Sequence, residues 1–361
     1  MTATDESIRP NEDISEGWVP LEASTAFPVP PEHQEHEDDD SLSETSSDSA
    51  FGSYPSSTES MTSSIFDYCE IHGREYHSER WNSGYCFPID QQQLDAQYLS
   101  GLAVHELLGG QLHLADLKEA EKPIQSVLDV GSGEGCWAFE FADDNPGVLV
   151  TATDLSPIAP KLVAPNLRFE LDDCTQRWSF DDSDFDFIHM RNLVGSIKDW
   201  PHLFQEAFRC TSPGGFTESH EHSFIFQSDN GSIEPKSALE RMGDVFKEAG
   251  VKSGYSFAVV DESIQRKGME EAGFIDVKEE VKKMPISKEH EDEKLRKMSK
   301  IAYDALLCDL EGYVSYVTGQ VLGWPRSETE VLAMEVRKDL GQMDIYVHHK
   351  IVVGRKPFEK F

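Results

Sequence analysis

Short apolar runs separated by turn residues alternate with stretches of 3.6-residue periodicity along residues 126–354. That rhythm is the one that builds a mostly parallel sheet covered by helices. Val127 and Leu128 head a run read as a buried strand, closed by Asp129. A helix is expected from 137, then strands over 148–153, ending on Asp154, and over 166–171, running into Asp172-Asp173-Cys174. A fourth strand, 185–190, closes on Arg191-Asn192. A helix over 200–210 leads through a turn at Pro213-Gly214-Gly215 into a fifth strand, 216–221. Helices are then expected over 235–250 and 261–273, each stopped by a glycine. A strand over 274–281, helices over 288–309 and 327–339, and an apolar strand over 345–354 complete the series, the last two helices being expected on the substrate side. Upstream, 65–122 reads as mostly helical, with Leu94, Tyr98, Leu102 and His105 along one helix face. The aromatic and polar stretches 73–78 and 85–90 read as loops packed either on the core or on a ligand.

Before residue 65 the pattern stops. Residues 1–64 hold 15 acidic side chains against one basic, Arg9, with Ser and Thr crowding 41–64. Such a segment buries too little apolar surface to offset its ordering entropy and is expected to be disordered. It is read as a solvated tail, with a protein-partner or phosphorylated arm as the alternative. The chain as a whole carries a formal charge of −35, which argues against nucleic acid and against an anionic membrane surface as partners. Six scattered cysteines without a CxxC pair suit a reducing compartment. With no apolar run of spanning length and no apolar h-region in the first thirty residues, the expected location is cytoplasmic or nuclear. The expected organisation is a tail over 1–64, a helical N-terminal cap over 65–125, and an α/β domain over 126–361 with helical lid insertions at 227–273 and 288–341.

The chemistry concentrates at Asp129-Val130-Gly131-Ser132-Gly133-Glu134-Gly135. Glycines here let the backbone turn and approach a ligand, and the following helix aims its free amides at whatever lies over the loop. A dinucleotide fingerprint spaces its glycines GxGxxG; this chain has GxGxG with an acid two residues before it, which disfavours a nicotinamide oxidoreductase. S-adenosylmethionine needs an anion near its ammonium and amides near its carboxylate, and DxGxGxG offers both. Asp154, ending the next strand, suits a ribose with two free hydroxyls. An acid at the end of the third strand, with the next backbone amide, matches the groups displayed by adenine.

These motifs resemble a class I S-adenosylmethionine-dependent methyltransferase. More narrowly, residues 70–357 resemble the LaeA-like methyltransferases of filamentous fungi. The resemblance rests on HGREYH (72–77), QLHLAD (111–116), LDVGSGEG (128–135), FDFIHMRNLVGSIKDW (185–200), SPGGFTESHE (212–221), EEAGFIDVKEEVKKMPIS (270–287) and VVGRKP (352–357). It implies a Rossmann-like seven-stranded α/β sheet with a reversed last strand and a helical cap. It implies that Asp129, Gly131, Gly133 and Gly135 hold the methionine end, that Asp154 binds the ribose, and that Asp173 with the Cys174 backbone binds adenine. Tyr76 would close over the cofactor. Glu134, Leu155 and Arg191, at the same loop and strand ends, complete the candidate cofactor contacts. Some members resemble tailoring enzymes of secondary metabolism acting on small molecules; others look like nuclear regulators working through protein partners.

Methyl transfer to a hydroxyl or ammonium also needs a proton removed. His220, Glu221 and His222, at the end of the fifth strand, are the catalytic candidates, and His220 or His222 the candidate base, because imidazole titrates near neutrality. The three are not expected to bind a metal, since neighbouring strand positions point to opposite faces. His348-His349 is read as strand surface.

Overall fold

A hairpin stands where the 65–122 stretch reads as mostly helical. β1 (Cys69–Ile71) and β2 (Arg74–Tyr76) pair antiparallel across His72-Gly73, both at positive φ (56° and 81°), a two-residue turn whose twist suits the flanking strands. Three residues per strand are too few for a period to show in the sequence. The computed structural model describes residues 68–77, 85–120, 122–158, 163–287 and 292–358, which fall in one compact unit. The tail expected over 1–64 lies outside the described residues.

α1 (Gln91–Leu107) is capped by Asp90, whose carboxylate accepts from the Gln93 amide. Its buried positions are Gln93, Ala96, Ala103 and Val104, whereas Tyr98 is 52% exposed. The face carrying Leu94, Tyr98, Leu102 and His105 therefore does not enter the core; it is one wall of the cavity described below.

β3 (Ser126–Val130) runs one residue past the expected end, and Asp129 lies buried within the strand. α2 (Cys136–Asp144), β4 (Leu149–Asp154), β5 (Leu167–Leu171), β6 (Phe185–Arg191) and α3 (Trp200–Cys210) follow the expected order. β7 (Thr211–His222) absorbs the Pro213-Gly214-Gly215 turn as an irregularity inside the strand: β6 pairs Phe185 with Thr211, then Phe187 with Phe216. α4 (Ala238–Ser253) runs past Gly250 and ends at Gly254, whose φ of 80° gives the left-handed cap. α5 (Ile264–Ala272) stops at Gly273 as expected. β8 (Ile275–Ile286) ends five residues beyond where its alternation suggested; it is an edge strand, and Lys and Glu keep its outer part exposed.

Between β8 and the last strand lie α6 (Glu293–Cys308), α7 (Leu310–Tyr316), a π-helical turn (Val317–Leu322) and α8 (Arg326–Leu340). α7 and the π-turn are absent from the sequence reading. β9 (Ile345–Arg355) closes the sheet in the order β5-β4-β3-β6-β7-β9-β8, antiparallel to both its neighbours. This is the expected seven-stranded sheet with a reversed last strand.

Arg74 fastens these layers. Its guanidinium forks onto Asp90, the cap of α1, and onto Asp309, the fully buried cap of α7. Burial alone would lower the Arg74 pKa, but the two carboxylates raise it above its ordinary value. One side chain thus joins the hairpin, the cap helix and the insertion; a cation paired on both sides tolerates burial where a lone one would not.

Candidate active site

The carboxyl ends of β3, β4 and β6 open into a cavity of about 680 Å3. On one side lies the glycine loop. Gly131, Gly133 and Gly135 have φ values of 67°, 58° and 82°, a region strained for other residues. A Cβ on Gly131 would meet Leu193 at 2.6 Å, and one on Gly135 would meet the Phe169 ring at 2.3 Å. The third glycine therefore serves packing against β5, whereas Gly133 has only the Gln97 carboxamide, 3.8 Å away, in front of it.

Asp154 holds this loop in place. One carboxylate oxygen accepts from the Gly133 amide at 2.9 Å, the other from the Ser156 amide at 3.0 Å. Burial raises its pKa, opposed by the Ser156 amide, His77 and the Gly133 amide. A carboxylate offers about four lone-pair sites, so the same group both braces the loop and faces the cavity. His77 reaches Ser156 Oγ at 2.8 Å through Nδ1, and Tyr85 stands edge-on to the His77 ring while accepting from Gln97 Nε2. His77, Tyr85 and Gln97 all line the cavity. His77 and Gln97 went unread as site residues; the only local signal was their closeness to the aromatic stretches.

Of the expected cofactor contacts, Gly131, Gly133, Glu134, Asp154, Leu155, Cys174 and Arg191 line the cavity. Asp129, Gly135, Asp173 and Tyr76 do not. The Asp173 carboxylate turns back to cap its own loop, accepting from the Thr175 amide and hydroxyl; Asp172 and Cys174 face the cavity instead. Tyr76 is buried with its ring 5.5 Å from that of Tyr316, because the hairpin turns it toward α7 rather than toward the glycine loop.

Beneath the cavity runs a buried polar row. Asp129 Oδ1 meets His189 Nδ1 at 2.8 Å, and the His189 ring stacks on Trp137 with centroids 3.8 Å apart. Burial holds the Asp129 carboxyl up at about 7 and His189 well below the usual imidazole range. Glu218 accepts from the Leu114 and Ala115 amides and bonds His220. His220 is thus spent inside the sheet. Glu221 points to the other face, where its carboxylate accepts from the Leu193 and Val194 amides at 3.0 and 2.9 Å. Neither lines the cavity, which corrects their reading as catalytic candidates: one is committed to Glu218 and the other ties down the loop after β6.

His222 does line it, with Nδ1 3.2 Å from Asn192 Oδ1. Opposite, in register on β9, stands His349, 2% exposed and also in the cavity wall. That corrects its reading as strand surface, since the reversed strand sits inside the sheet and not at its edge. Apart from Ser223 and Tyr313 the rest of this side is apolar: Phe224 and Phe226 past β7, Met242 of α4, Met284 and Ile286 at the inner end of β8, Leu306 of α6. Among the described residues no group of three or more metal-ligating side chains is assembled.

Residues 103–261 match a family described as "Methyltransferase domain". The chain is 32% identical over 306 residues to methyltransferase pytC of Aspergillus terreus, covering 84% of this chain and 92% of that protein. It is a LaeA-like class I S-adenosylmethionine-dependent methyltransferase. The protein-methionine methyltransferase laeA of Emericella nidulans is 28% identical over 292 residues, covering 80% of this chain and 76% of that one. The probable methyltransferase tdiE of the same organism is 28% identical over 255 residues, covering 70% and 78%. In this methyltransferase the domain match takes in the glycine loop, Asp154 and β3 to β7, and ends before α5. β8, β9 and the helices between them, which supply Met284, Leu306 and His349 to the cavity, lie beyond it.

Proposed function

We propose that this methyltransferase alkylates a small, largely apolar molecule of fungal secondary metabolism. The observation that carries the reading is one continuous cavity with two unlike walls, glycine loop and acids on one side, aromatic and aliphatic side chains on the other. Relatives named as regulators of secondary metabolism support the metabolic setting, not the acceptor.

The residues present fit S-adenosylmethionine. Gly133 leaves a cradle that a bulkier residue would narrow. Arg191 lines the cavity with no hydrogen-bonded partner among the described residues, which suits it to the cofactor carboxylate. Glu134 suits the ammonium, Asp154 the ribose hydroxyls, and Asp172 with Cys174 the adenine edge. When bound, the sulfonium supplies an electrophilic methyl carbon, so the chain's task is to orient the acceptor, exclude water and receive a proton. The apolar wall performs the first two.

Incubation with radiolabelled S-adenosylmethionine and fungal extract should place label in an organic-extractable compound. Label confined to precipitated protein would replace this reading with that of a protein acceptor, the acceptor class named for the laeA relative.

A further inference from the structure

We infer that the acceptor presents an acidic hydroxyl group, a phenol or an enol, to Nε2 of His222, with Asn192 fixing the imidazole tautomer that receives its proton. The inference rests on the small-molecule reading above and deepens it.

The wall contributed by residues 222–349 carries no charged side chain toward the cavity; its polar members are His222, Ser223, Tyr313 and His349. An ammonium acceptor would find no carboxylate there, and the cavity's acids, Glu134, Glu140, Asp143, Asp154 and Asp172, belong to the opposite side. A burial of this kind selects a neutral ligand, because a lone charge is costly out of water.

Two imidazoles face that neutral space from cross-strand positions, and residues directly opposite in an antiparallel pair share one face. His222 is positioned through its other nitrogen. Asn192, held at φ 59° with its amide donating to the His220 carbonyl, sets Oδ1 against His222 Nδ1. Nδ1 then carries the proton, and Nε2 keeps its lone pair. Burial draws the His222 pKa down to about 4, so the ring is neutral near pH 7. His349 Nε2, buried and without a partner among the described residues, leaves a second polar atom on the same wall for another oxygen of the acceptor.

A ring so weakly basic suits an acidic hydroxyl, not an aliphatic alcohol; a neutral amine already has a free lone pair and needs no base to attack. In the transfer, the acceptor oxygen forms a bond to the methyl carbon as the carbon–sulfur bond breaks, the electron pair staying on sulfur. The hydroxyl proton passes to Nε2 and then to solvent, so charge and atoms balance.

The test uses the full chain saturated with S-adenosylhomocysteine and four probes of one shape: 2-naphthol, 2-methoxynaphthalene, 2-naphthoate and 2-naphthylmethylammonium. Calorimetry should show 2-naphthol bound about tenfold tighter than the other three, the worth of one well-placed hydrogen bond, and His222→Phe should abolish that preference. Nitrogen-15 histidine NMR should show the Nδ1-protonated tautomer at His222, an Nε2 shift on adding 2-naphthol, and mixed tautomers in Asn192→Ala. Equal affinity for the four probes, a preference that survives His222→Phe, or an Nε2-protonated parent would overturn the proposal. Should His222→Phe fail to bind S-adenosylhomocysteine, Asn192→Ala carries the same comparison, with a weakened preference expected and an unchanged one overturning. A parent that does not bind S-adenosylhomocysteine defeats the cofactor assignment, whereas intact cofactor binding without a naphthol preference defeats only this inference.

Discussion

The two walls of the cavity are made in opposite ways. Beside the α1 face, the cofactor wall comes from one stretch of chain, 131–197, in which strand, loop and helix succeed one another and the functional groups sit in the loops that follow successive strand ends. The acceptor wall is gathered from β7, α4, β8, α6, α7 and β9, elements spread from residue 222 to residue 349. The family match follows the same division, covering the first wall and only the beginning of the second. A local wall can be held by a short backbone motif across many relatives. A wall assembled from distant elements can be altered piece by piece, which is where specificity for an acceptor can diverge without disturbing the cofactor.

Four substitutions test how separable the walls are. Gly135→Val should have the largest effect. It forces a branched residue to positive φ and drives Cβ into Phe169, combining backbone strain with overpacking at roughly 1–3 kcal/mol each. S-adenosylhomocysteine binding by calorimetry should fall more than about a hundredfold. A variant that binds as tightly as the parent would show that the third glycine does not shape the cofactor wall.

Glu221→Gln probes the tie between the walls, since Glu221 on β7 holds the loop of Leu193 and Val194. Burial keeps its carboxyl up at about 8 against the pull of those two amides. A folded pKa above the unfolded one means a stabilising contribution fully present below about 4.5 and lost as pH rises through about 8. Gln does not titrate, so unfolding curves should show the parent losing stability relative to the variant between those limits, by up to about 5 kcal/mol. Parallel curves across that window would mean that Glu221 does not carry the raised pKa.

Arg74→Ala acts on the acceptor side. Asp309 would be left buried without its cation, at about 3 kcal/mol, or a fall in Tm of roughly 5–10 °C. Cofactor affinity should change much less than in Gly135→Val. An unchanged Tm would show that the three-way clasp contributes nothing net.

Asp154→Ala gives the smallest effect of the four. It loses the charged acceptor of the Gly133 and Ser156 amides together with the proposed ribose contact. At roughly 1.5–3 kcal/mol, cofactor affinity should drop about ten- to hundredfold, and Asp154→Asn should be milder because one acceptor oxygen remains. Unaltered affinity in a folded Asp154→Ala would remove Asp154 from the site.

How far the sequence reaches follows from the same contrast. The helix over Trp200–Cys210 and the strand ending at Asp154 fall where the periodicity puts them. Periodicity is a property of neighbours, and a parallel strand buried on both faces has little freedom in its composition. The face of Leu94, Tyr98, Leu102 and His105 is real, but its partner is a cavity and not the core, and an apolar stripe does not say what covers it. The hairpin at His72-Gly73 and the π-turn at Val317–Leu322 are too short to leave a period.

By itself the sequence determined the order of elements, the glycine loop, the acid at the end of β4 and, through the glycine spacing, the class of cofactor. Those depend on separations of a few residues, where backbone geometry leaves little choice. Only the tertiary structure decided which of His220, Glu221 and His222 faces the cavity, and that His349 stands beside it. The pleat sends successive side chains to opposite faces, so it sets Glu221 apart but leaves His220 and His222 on one face; position along β7 separates those two, His220 being held by Glu218 inside the sheet and His222 by Asn192 at the strand end, and the register of β7 against β9 decides which residue of a remote strand shares its face.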